Sequence, residues 1–82
     1  MKSKVFNPVK QTQTLTRLIR VGMARKDIPT VSALAVMLGM KRPALSKRMN
    51  HGGWSDVELW RVFRVLEFSA EEIVTAMGGP AA

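Results

Sequence analysis

The side chains able to do chemistry in this chain are mostly cations. Cysteine is absent and His51 is the only histidine, so a thiolate or multi-histidine metal site is not expected. No nucleophile stands beside a base, no glycine-rich phosphate loop occurs, and no inward-facing pair of carboxylates is evident. The pattern therefore predicts no enzyme, no cofactor and no small-molecule substrate. In residues 30–50, TVSALAVMLGMKRPALSKRMN, the positive charge falls in the second half, where Lys41, Arg42, Lys47 and Arg48 follow Gly39. This stretch reads as two short helices joined by a tight turn at Gly39. A bihelical unit whose second helix is basic and faces outward is what reading the major groove of DNA requires.

Those cations need a core to hold them. At 82 residues the chain makes one domain, near the size at which a single core is only marginally stable. With 46% apolar residues and no disulfides, stability must come from close packing. Tyr is absent and the apolar spacing is helical rather than alternating, so an all-α domain is expected. The net charge is +7 and the sequence pI is about 11.0. Residues 1–50 hold Lys2, Lys4, Lys10, Arg17, Arg20, Arg25, Lys26, Lys41, Arg42, Lys47 and Arg48 against Asp27, a net +10. Residues 51–82 hold Arg61 and Arg64 against Asp56, Glu58, Glu67, Glu71 and Glu72, a net −3. A polyanion would be drawn to the first half. No apolar run approaches the roughly 20 residues that span a bilayer, and the opening residues lack the apolar core of a signal peptide. No membrane partner and a cytoplasmic location are expected.

Residues 1–7 read as a basic arm, 8–77 as the domain and 78–82 as a frayed tail. Asn7 before Pro8 suits a helix start, although Thr12 or Thr14 would also cap one. Leu15, Leu18, Ile19 and Met23 share one face of that helix, with Arg17 and Arg20 off it. Asp27, Ile28 and Pro29 end it. Thr30 caps a second helix with Leu34, Ala35 and Leu38 inward. Gly39 takes the turn in the left-handed region, and Met40 fills the space between helices. Pro43 lies in the first turn of the third helix, about residues 42–50, with Leu45 and Met49 inward. Ser55 with Glu58, and Ser69 with Glu72, are capping boxes that open a fourth and a fifth helix. Leu59, Val62, Phe63 and Leu66 should face the core from one, and Ile73, Val74 and Met77 from the other. Trp54 is expected to plug its loop against the core.

Ala35, then Gly39 four residues on, then Leu45 six beyond, is a spacing that resembles the helix-turn-helix of the Xre family, which includes the Cro and repressor proteins of lambdoid phages. Leu34, Leu38 and Met40 meet the flanking apolar positions. Trp54-Ser-Asp-Val-Glu-Leu and Phe68-Ser-Ala-Glu-Glu-Ile match the family's later helix starts, so the resemblance covers roughly residues 14–77. It implies a compact five-helix, lambda-repressor-like DNA-binding domain.

Carried over by position, the resemblance implies that Arg42, Ser46 and Lys47 read base edges, Arg42 by a bidentate contact to guanine. It places Lys41 and Asn50 on phosphates, with a C-cap as the alternative role for Asn50. Val31 stands where a polar phosphate contact is usual, so that role passes to Thr30 and the helix N-terminus. Pro43 replaces a base-reading polar side chain and offers only apolar contact. Arg48 replaces an aliphatic core residue and would snorkel to a phosphate or to an acidic residue. Glu67 replaces the glycine that usually ends helix four. Trp60, with Val57 and Arg64 on its face, is either a protein interface or a cover for helix five or the end of helix one.

The expected function is sequence-specific binding of double-stranded DNA as a Cro-like or repressor-like transcriptional regulator, with a homodimer on DNA as the arrangement common in the family. Two alternatives stand beside it. One is an antitoxin-type interaction module using the acidic second half and Trp60. The other is an architectural or recombination-directionality factor that reads DNA shape.

Overall fold

Eighteen residues with apolar side chains three and four apart form the longest helix, α1 (Pro8–Arg25). Its inward row, Leu15, Ile19 and Met23, is buried, with Leu18 half-buried beside it. Four shorter helices follow: α2 (Val31–Leu38), α3 (Arg42–His51), α4 (Asp56–Val65) and α5 (Ala70–Ala76). This computed structural model describes residues 8–78. Within them there is no strand. The basic arm, Asn7 as a cap and most of the tail lie outside the described residues.

The starts of α2, α4 and α5 are set by local side chains. Thr30 accepts the Ala33 N–H at 3.1 Å. Ser55 and Glu58 form a reciprocal capping box, as do Ser69 and Glu72. Three helix ends share one design. After α1, the Asp27 and Ile28 amides donate back to Ala24 and Met23. After α2, Gly39 and Met40 donate to Val36 and Ala35, and after α4, Glu67 and Phe68 donate to Arg64 and Phe63. These are Schellman turns, each with a left-handed residue followed by an apolar one that folds back on the core. The left-handed residues are Asp27, Gly39 and Glu67, at φ 59°, 70° and 55°.

The core joins all five helices: Leu34, Ala35 and Leu38 from α2, Leu45 and Met49 from α3, Val62 and Phe63 from α4 with Leu66 just past its end, and Ala76 from α5. Phe63 and Phe68 meet with ring centroids 5.3 Å apart. Helix α1 packs against α3 and α5, while α2 packs against α3 and α4. Gly22 lets α1 approach closely, since a Cβ there would stand 3.0 Å from the Cβ of Leu66. The inward face of α5 differs from the expected one. Val74 and Met77 are exposed, and Ala76 is buried with Ile73 half-buried. Ile73 and Ala76 are three residues apart and share a side, whereas Val74 and Met77 sit one position further round. Leu59 is half-buried at the edge of the α4 stripe.

Candidate nucleic-acid interface

Helix α3 is held by its inner side. Leu45 is fully buried and Met49 nearly so, and the Thr16 hydroxyl of α1 donates to the Met49 carbonyl at 2.7 Å. Pinning that side turns the opposite one out. Lys41, Arg42, Pro43, Lys47, Asn50 and His51 are exposed, and Ser46 is half-exposed. Arg42, Ser46 and Asn50 are spaced by four and so form one ridge along α3. The structure therefore brings Arg42, Ser46, Lys47 and Asn50 together on one surface, with Lys41 at its N-terminal edge. Thr30 lies at the start of α2, its oxygen accepting the Ala33 N–H while its own proton is free to be donated. Asn50 does not cap α3: the helix runs on to His51 and Gly52 closes it, donating its N–H to the Arg48 carbonyl at 2.8 Å.

Arg48, among the expected phosphate contacts, meets an acid. Its Nε donates to Glu58 Oε1 at 2.9 Å, across to the start of α4. The same oxygen accepts the Ser55 N–H at 2.9 Å. The Arg48 bond, followed by the Ser55 amide, holds the Glu58 carboxyl below its ordinary value. Of the two partners expected for Arg48, the acid is the one it has, because α4 brings a capping-box glutamate to the side of α3 that an aliphatic residue would otherwise cover.

The remaining ion pairs sort the other cations. Arg25 meets Glu72 at 3.2 Å and Lys26 meets Glu67 at 2.6 Å, both at the end of α1. Lys26 holds the Glu67 carboxyl below its ordinary value, and the Ser69 amide and then Arg25 do the same for Glu72. Among the described residues, Arg17, Arg20, Lys41, Arg42, Lys47 and Arg64 make no ion pair. Arg61 instead donates from Nη1 to the Leu38 carbonyl at 3.3 Å, capping the end of α2.

Trp60 stands out from the surface of α4. It is 59% exposed, beside an equally exposed Val57, and with Asp56, Arg61, Arg64 and Val65 it lines a shallow cleft on α4. Trp54 does lie half-buried against the core. Sequence reasoning missed a second feature, a groove between α1 and the end of α3 that includes Arg17 and Arg20. The available signal was that both arginines lie off the apolar face of a helix with no acid in it. Among the described residues no group of three or more His, Cys, Asp or Glu is placed to hold a metal ion, and no helix is long and apolar enough to cross a membrane. Comparison with protein-family models, with curated proteins and with solved structures gives no match.

Proposed function

We propose that this chain is a sequence-specific double-stranded DNA-binding transcriptional regulator of the Cro or repressor kind, acting in the cytoplasm, with α2 and α3 as a helix-turn-helix. The observation that supports this reading is the outer surface of α3. Among the described residues its Arg42 and Lys47 make no ion pair, while three acids of the second half, Glu72, Glu67 and Glu58, are engaged with Arg25, Lys26 and Arg48. Arg42 is suited to guanine O6 and N7, Lys47 to guanine or a phosphate, and Ser46 to either a donor or an acceptor on a base edge. Lys41, Thr30 and Asn50 would hold flanking phosphates.

The cleft at Trp60 favours a second copy of the chain as partner. Asp56 lies four residues before Trp60 and Arg64 four after it. Two α4 helices packed antiparallel about Trp60 would set Asp56 of each against Arg64 of the other, with Val57 and Trp60 covered between them. Such an isologous contact is self-complementary in charge.

Selection of bound duplexes from a randomised pool tests both statements. The expected product is a defined inverted repeat with half-sites about one helical turn apart. Recovery of duplexes with no shared motif would overturn sequence-specific binding. Recovery of one unrepeated half-site would uphold it and overturn the two-copy arrangement.

A further inference from the structure

The groove between α1 and α3 has a volume of about 520 Å³. Arg17 and Arg20 line it from α1, with Thr12 and Gln13 one turn earlier, and Asn50 and His51 line it from the end of α3. Among the described residues, no acidic one lines it. The Thr16 hydroxyl is engaged with the Met49 carbonyl, but neither arginine has an ion pair or a hydrogen bond to another described side chain. Two unpaired guanidinium groups among neutral donors form a site for an oxyanion, and planar arginine forks match phosphate oxygens in pairs.

The position of the groove identifies the anion. The Arg42, Ser46 and Asn50 ridge runs into it, because Asn50 belongs to both. Arg42 and Asn50 are about 12 Å apart along the helix axis, comparable to the roughly 12 Å width of the major groove. With the start of α3 at the bases, its end and the adjoining α1 surface stand at the rim, where phosphates lie.

We propose that Arg17 and Arg20 form a phosphate-binding site on α1 that grips the DNA backbone beside the bases met by α3. This rests on the DNA-binding reading and adds to it a contact surface on a different helix. The site contributes affinity and register but no sequence preference, since phosphates are alike at every base pair.

The test is the salt dependence of binding to a selected duplex and to an unrelated one, measured by fluorescence anisotropy for wild type, the Arg17→Gln/Arg20→Gln double variant and Lys26→Gln. Wild-type log K should fall linearly with log salt. The double variant should lower that slope by about 1.8, from roughly 0.9 per phosphate contact, and leave the affinity ratio between the duplexes unchanged. Lys26→Gln removes a cation outside the groove and should leave the slope as in wild type. A double-variant slope equal to wild type would overturn the site. So would an equal loss of slope per charge in Lys26→Gln, which would make the effect one of net charge. In either case wild-type preference for the selected duplex would still stand, separating this failure from failure of the DNA reading. A wild type that binds neither duplex overturns both. Backbone amide shifts of the wild type on adding duplex give a readout independent of variant folding: residues 12–20 and 50–51 should move, and their silence would overturn the site.

Discussion

Two arginines six residues apart on α3 have opposite roles. Arg48 is tied to Glu58, whose carboxylate also closes the capping box of α4. Arg42 stands exposed at the first turn with no ion pair among the described residues. If Arg42 reads guanine, Arg42→Ala should weaken the selected duplex by about 1–3 kcal/mol more than a duplex substituted at the contacted base pair. Competition binding at fixed salt measures that difference. An equal loss on both duplexes would reassign Arg42 to a phosphate. The candidate surface was legible in sequence in part: positions 46, 47 and 50 turn away from Leu45 and Met49 by helical spacing alone, whereas Arg42, seven residues before Met49, is exposed because it opens the helix. The partner of Arg48 was not, because Glu58 is ten residues away on another helix.

At the scale of elements, the helix starts followed from local chemistry. Each serine and its glutamate are three residues apart, so no distant part of the chain is needed to form the box. The helix ends were only partly legible. Glycine announces the left-handed turn at position 39, but Asp27 and Glu67 adopt the same conformation without that signal. Ile28 and Phe68, buried just after them, hold the chain in place. The turn before α3 gives a direct prediction. A Cβ on Gly39 would be 3.6 Å from Arg61 Nη1, an ordinary contact, so Gly39→Ala should pay only the left-handed backbone cost. That is about 1–2 kcal/mol, read as a lower midpoint in urea unfolding with an unchanged slope. An unchanged midpoint would contradict the left-handed assignment.

Over the whole molecule, pairing converts a diffuse excess of positive charge into a localised one. Glu58 and Glu72 connect α3 to α4 and α1 to α5, and both carboxyls lie below their ordinary value of 4.5 when folded. Their contribution is therefore complete above pH 4.5 and is lost as the pH falls through the lower folded values. Each partly exposed pair is worth about 0.2–1 kcal/mol. Thermal melts should hold steady from pH 8 to about 5.5 and drop in acid, and Glu58→Gln/Glu72→Gln should flatten the acid limb. An unaltered limb would mean that these bonds do not matter to stability. By itself, the sequence determined the helices, the turn at Gly39 and the inner residues of α1 to α4, because apolar period and capping act over three to four residues. Tertiary structure decided which cations stay unpaired, that Trp60 is left open, that Gly22 must admit Leu66, and that Arg17 and Arg20 face the end of α3. Each of these depends on different helices meeting, across ten residues of chain or more, or on which helix faces stay uncovered, and spacing along one helix carries no information about either.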